Sequence, residues 1–569
     1  MPMVTAVPDH TEFIHWSWGD FRPRFAALEA LPLGEGSLDS FLKEWSDLQA
    51  IAQEIGYRLY VATAQNVEDT ESEQAFHVFL DEVQPEIQRA EQRLNLKLLG
   101  SGLRPHGFDA VLKTMRGETD LFRDANVPLL AEDRKIEERF NKIAGSQLVE
   151  WEGKQIPIAQ LRPVLENIDR GVRERAWRAA LRRQLADREA LNQLWADAFR
   201  LRVKIAANAG KQDYRAYRWQ QLLRFDYTPE DCLRFHQAIE AVALPAANRV
   251  LERRKQRLGV ASLRPWDLAV DPLGSQPLRP YSEVKQLTEG IAQIFQMVDP
   301  AFGQYFGIMR QENLLDLENR KNKGQGGFCI EYAATGRPFI FMNAVGVHDD
   351  VQTLLHEGGH AFHAFEAQQL PYFQQRKVGM EFSEVASMAM ELLAAPYLSA
   401  PGQQFYDGKQ AARARIDSLE RCILFWPEMA VIDAFQHWAY THPDAAVDAS
   451  ACDAYSYQLR RKYQPSVDWS GLETELQTAW QRLIHVFSDP FYFVEYGLAQ
   501  LGAVQIWASA RKDQGAAVQQ YRRALALGFT RSVPQLYAAA GARFAFDAGT
   551  LAPAVDLLET VIAELESQA

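Results

Sequence analysis

Apolar residues recur at three- and four-residue spacing through most of the chain, with few β-branched runs, so the pattern predicts a mainly α-helical protein. From Ser37 to Asn66, the positions Leu38, Phe41, Leu42, Trp45, Leu48, Ile51, Ile55 and Leu59 define one amphipathic helix, capped at Ser37 or Asp39. Residues 70–100 and 164–210 repeat the period, the second with Arg and Glu on a polar side expected to be solvated. Gln147 to Ala159 alternates instead, around Glu152-Gly153-Lys154, and predicts a small β-hairpin. A second pair of strands is predicted for Gly327–Tyr332 and Arg337–Asn343. Pro265, Pro272, Pro277 and Pro280 mark 263–281 as an ordered connector.

Composition narrows the function. A chain of 569 residues with 47% hydrophobic content is too long for one ordinary core, and two lobes are expected. The net charge of −13 argues against nucleic acid as a partner. The four cysteines, Cys232, Cys329, Cys422 and Cys452, form no C-x-x-C pair and are expected to be free thiols. With no export signal and no apolar stretch of about 18 residues, a cytoplasmic location without membrane association is expected.

The chemistry enters at His356-Glu357-Gly358-Gly359-His360, an H-E-x-x-H motif. On a helix, residues i and i+4 share a face, so both imidazoles can meet one metal ion. Glu357 lies about 100° around the helix, placed to act on water without being a ligand. Asp349 or Asp350 is expected to cap this helix, and Val351, Leu354, Leu355, Phe362 and Phe365 to bury it. Two glycines inside a helix cost about 1 kcal/mol each relative to alanine, so close approach of a backbone or of substrate is expected at Gly358-Gly359.

Hydrolytic zinc needs a third protein ligand and one open position. Glu366 is too far along the same helix. A second amphipathic helix, Phe382–Leu393, places Glu384, Ser387 and Glu391 on one face, making Glu384 a candidate ligand and Glu391 its outer support. Glu381 competes on spacing. His363 fits as packing behind the metal, because a fourth protein ligand would close the catalytic position.

The runs Leu354–His363 and Phe382–Ser387, ending at Glu391, resemble the thimet oligopeptidase and oligoendopeptidase F family of zinc metallopeptidases. Gly326-Gly327-Phe328-Cys329 and Pro490-Phe491-Tyr492 extend the resemblance. It implies that His356, His360 and Glu384 bind one zinc ion, and that zinc sits in a deep channel between two helical lobes, with a small β-sheet beside the motif helix. Residues 1–200 would then form an N-terminal helical region and 201–569 the catalytic domain. The implied activity is endopeptidase cleavage of short unstructured peptides, with Glu357 as general base.

Near the C-terminus, Asp489 and Pro490 are expected to open a helix on which Tyr492 and Tyr496 share a face at i and i+4. With the resemblance, Tyr496 and His485, and secondarily Tyr492, are expected to stabilise the oxyanion. Phe493 and Val494 depart from the family, whose members often carry tyrosine there. Gly327, Phe328 and Cys329 begin a strand whose edge is a candidate for pairing with an extended peptide. Two alternatives are an exopeptidase using the same zinc chemistry, with Arg337 for a terminal carboxylate, and an inert peptide-binding relative.

Overall fold

A computed structural model describes residues 9–274, 276–400 and 405–569. Helices dominate, and the amphipathic segments form where periodicity places them. The Ser37–Asn66 pattern becomes the helix Leu38–Gln65, burying Phe41, Leu42, Trp45, Leu48 and Ile55. These pack with Phe21, Phe25, Leu94, Leu98 and Leu112 into an N-terminal core. A larger core runs from Val61 to Leu565 and encloses the metal-motif helix. No helix of the described residues is long and apolar enough to cross a membrane, and all four cysteines are free.

The segment 164–210 departs from the expected solvated face. Within its helices Arg170–Ala186 and Arg188–Asn208, Arg173 and Arg202 are fully buried. Arg173 donates to Asp267, and Arg202 donates to Asp133 and to Tyr440, so each buried charge has the partner that burial demands.

Both hairpins form. Leu148–Trp151 pairs antiparallel with Lys154–Pro157, with Glu152 and Gly153 both at positive φ in the two-residue turn. Phe328–Tyr332 pairs antiparallel with Arg337–Ala344, in the register Phe328 to Phe341. A third strand, Leu315–Glu318, lies parallel on the other side of Arg337–Ala344, leaving Phe328–Tyr332 at one edge. Four residues are too few for alternation to announce that strand. The hairpin turn is tied to the N-terminal helix, because buried Glu54 accepts the Thr335 N–H at 2.8 Å and pairs with Arg58.

The central strand leads into the motif helix, His348–Ala367. Its N-cap is Val347, which corrects the expectation of Asp349 or Asp350. Asp350 does the capping from the third helical position. Its carboxylate reaches back to the N–H groups of Val345, Gly346 and Val347 at 2.8, 2.8 and 3.0 Å, at the positive end of the helix dipole. Tyr281 and Arg162 also donate to it.

The next helix, Met380–Ala394, is buried nearly all round instead of being amphipathic. It touches the motif helix on one side and Phe493–Ala510 on the other, and a helix without a solvent face needs no polar stripe. The two motif glycines explain how closely these helices meet. A Cβ on Gly359 would lie 2.5 Å from the Ala386 carbonyl oxygen and 2.6 Å from Ser387 Cα, and one on Gly358 would lie 2.3 Å from the Phe295 ring. Of the two expected reasons, packing of protein backbone is the one found at Gly359.

Gly359→Ala should therefore destabilise the protein by about 1–3 kcal/mol, read as a lower urea midpoint with bound metal lost. Gly307→Ala, in the helix Pro300–Gln311 with nothing within 4 Å of the added Cβ, should instead raise stability by about 0.4–1 kcal/mol.

Candidate metal centre and active site

His356 and His360 project from one face of the motif helix toward Glu384 on its neighbour. Glu384 Oε2 lies 3.2 Å from His356 Nε2 and 3.4 Å from His360 Nε2. All three donor atoms lie within 4.8 Å of one another. A tetrahedral ion with ligands at about 2.0–2.2 Å needs its donors about 3.3–3.6 Å apart. The set therefore fits one metal ion, with a position left over.

The far side of each ring is also held. His356 Nδ1 lies 2.8 Å from Glu391 Oε1, and His360 Nδ1 lies 3.3 Å from Ser383 Oγ, so both Nε2 atoms face Glu384. Ser387 Oγ donates to Glu384 Oε2 at 2.9 Å, and Tyr492 Oη donates to Oε1 at 2.5 Å. Burial alone would raise the Glu384 carboxyl, but the two imidazoles outweigh it and hold it well below the usual range. Burial would likewise depress His356, but Glu384 and Glu391 hold it well above its ordinary value. Ser383 had no signal in the periodicity, since it is one serine in an apolar helix.

Glu381, the rival ligand on spacing, is turned elsewhere. Tyr227 donates to its Oε1 at 2.7 Å, and Arg224 lies 3.9 Å away. Glu366 pairs with Arg522 at 2.8 Å. His363 packs edge-on against Phe382, with burial lowering its imidazole to about 3, so it stays neutral behind the ligands.

Glu357 is buried beside the histidines, and burial raises its carboxyl above the ordinary range. Exposed Gly327 sits against it, for a Cβ there would be 3.5 Å from Glu357 Oε1. Phe328 stacks on Phe341 at 4.7 Å and approaches Tyr60 at 5.5 Å. Burial first, and then the nearby Glu357 and Glu331 carboxylates, push the Cys329 thiol up. Gly327, Phe328 and Cys329 thus lead from Glu357 into the sheet edge.

His485, Tyr492 and Tyr496 meet on the opposite side. Tyr496 Oη lies 3.3 Å from His485 Nε2, and the Tyr492 and Tyr496 rings are 5.0 Å apart. Burial above all, then the Glu384 and Glu357 carboxylates, raise the Tyr496 phenol, so it stays protonated. The helix carrying Tyr496 starts at Phe493, with Tyr492 at its N-cap, not at Asp489 and Pro490 as expected. Phe491 causes the delay. It is buried in the left-handed conformation at φ 68°, and its N–H donates to Gln436 Oε1 at 2.5 Å. Arg224 donates to the Phe491 carbonyl and to Glu495 Oε1 at 2.7 Å, a clamp between distant segments that no local pattern announces.

Glu391→Ala should weaken metal affinity about 10- to 100-fold by freeing the His356 ring, read by titration against a fluorescent zinc chelator, with unchanged affinity counting against the assignment.

An oligoendopeptidase F homolog of Borreliella burgdorferi is 24% identical over 291 residues, which cover 50% of this chain and 48% of that protein. The plasmid oligoendopeptidase F of Lactococcus lactis subsp. cremoris is 23% identical over 411 residues, covering 71% of this chain and 65% of that one. The chain thus spans about half to two thirds of these curated relatives. A solved structure of PZ peptidase A with an inhibitor has the same fold, with a TM-score of 0.90 at 24% identity over 99% of this chain and 98% of that one. The model of peptidase family M3 matches residues 164–553, a stretch that holds both histidines, Glu357, Glu384, Glu391 and the tyrosine segment, and the chain belongs to that family.

Proposed function

We propose that the protein is a zinc-dependent endopeptidase that cleaves short unstructured peptides in a channel between two helical lobes. The observation that carries this reading is the convergence of His356 Nε2, His360 Nε2 and a Glu384 oxygen within 4.8 Å, with Glu357 buried alongside. Zinc in that set would supply Lewis acidity and lower the pKa of water from about 15.7 to about 7. Nitrogen and carboxylate donors with one position open suit zinc in its catalytic form.

Glu357 takes a proton from the attacking water and returns it to the leaving amine, and its raised pKa suits both steps. Tyr496 donates its phenolic hydrogen to the charge developing on the former carbonyl oxygen, with His485 orienting the ring. Tyr492, bonded to Glu384, holds the ligand carboxylate in place. Substrate backbone pairs with the edge strand Phe328–Tyr332, entering past Gly327. Main-chain pairing tolerates many side chains, as cleavage of varied peptides requires. The exopeptidase reading loses its candidate anchor, because Arg337 is already paired with Glu312 at 2.7 Å.

Glu357→Gln should keep its metal and lose turnover by about 10²- to 10⁴-fold, measured by metal analysis and peptide cleavage on the same sample. Full activity in that variant would refute the role of Glu357. Tyr496→Phe should lower kcat about 10²- to 10³-fold with little change in KM, and a loss confined to KM would move Tyr496 from chemistry to substrate binding.

A further inference from the structure

The helices Pro229–Ala238 and Gly408–Thr441 face each other with paired side chains at i and i+4 on each. Cys232 and His236 come from the first, Asp433 and His437 from the second. That spacing puts both members of a pair on one helix face, the logic by which helices present metal ligands. Cys232 Sγ, an Asp433 oxygen and a His437 ring nitrogen are mutually within 4.8 Å, and all three residues are buried. His236 Nε2 lies 2.8 Å from Asp433 Oδ2.

The cluster is unfinished as a set of hydrogen bonds. Asp433 Oδ1 and His437 Nε2 are fully buried atoms with no hydrogen-bond partner, although His437 Nε2 lies 3.3 Å from Asp433 Oδ2. Leaving a buried carboxylate oxygen unsatisfied forfeits its hydration without replacement. A divalent cation among these atoms would give each a partner. With a thiolate and a carboxylate, a 2+ ion also leaves the assembly neutral, which a dry interior favours.

We propose that Cys232, Asp433 and His437 form a second, buried zinc site, with His236 holding the Asp433 carboxylate from behind. Sulfur, nitrogen and oxygen donors together suit zinc better than calcium or magnesium. Arg215 Nη1 lies 3.4 Å from His437 Nδ1, at the outer limit of hydrogen bonding, and must withdraw when that nitrogen carries the ring proton. In the metal-free molecule, burial first and Asp433 second keep the Cys232 thiol protonated, and a bound cation reverses that balance.

The site adjoins Phe491, the residue before Tyr492. The His437 ring packs 5.2 Å from Phe491, and the adjacent Gln436 accepts the Phe491 N–H. Loading the site therefore braces the left-handed turn that delivers Tyr492 to Glu384.

The test is metal content and cobalt spectroscopy on the full chain. The purified protein should carry two zinc ions per chain, and Glu384→Ala and Cys232→Ser should each carry one. Protein produced with cobalt should show a near-ultraviolet thiolate-to-cobalt charge-transfer band, which the cleft ligands cannot produce, and Cys232→Ser should lack it. One ion per chain with no thiolate band in the unmutated protein overturns the proposal, whatever the fate of the variants. Persistence of the band in Cys232→Ser overturns it as well.

Discussion

The centre depends on one contact, the packing of Gly359 against the backbone at Ala386 and Ser387. Glutamate is a short reach for a ligand on a separate helix. Its carboxylate comes to 3.2 and 3.4 Å from the two imidazoles only because the helices touch where no side chain intervenes. Helices ordinarily pack with axes about 8–10 Å apart, the lower end needing small residues at the crossing. Tyr521 adds to the clamp by donating to the Ala386 carbonyl at 2.6 Å. The cost of glycine in a helix is thus offset by the approach of Glu384 to the two histidines.

A second layer of buried polar groups holds the remaining side chains in place. Glu391 and Ser383 turn the histidines, Ser387 and Tyr492 turn Glu384, and Arg224 ties Glu495 to the Phe491 carbonyl. Each of these groups would be costly to bury alone, and each has at least one hydrogen-bonding partner here. Tyr492 and Tyr496, one helical turn apart, consequently meet different partners. Tyr492 reaches the Glu384 carboxylate, whereas Tyr496 meets His485.

Local periodicity made the helical architecture legible, because each helix buries a continuous stripe. Val351, Leu354, Leu355 and Phe362 all lie at full burial in the motif helix, as their spacing requires. The motif also fixed which face carries the histidines. Spacing could not separate Glu384 from Glu381, since residues three apart on a helix lie only about 60° apart around it. Their partners separate them. Glu381 is engaged by Arg224 and Tyr227, more than 150 positions upstream, and contacts at that distance leave no trace in a local pattern. The cap at Asp350 and the helix start at Phe493 escaped for similar reasons, one set by a carboxylate reaching backward and the other by the buried, left-handed Phe491.

The activity proposed for this site is metal-dependent cleavage inside a peptide chain. Its most direct test is hydrolysis of a short fluorescence-quenched peptide blocked at both termini, before and after metal removal and zinc restoration. Internal cleavage should disappear on chelation and return with zinc. Failure to cut the blocked peptide, or cleavage indifferent to chelation, would contradict it.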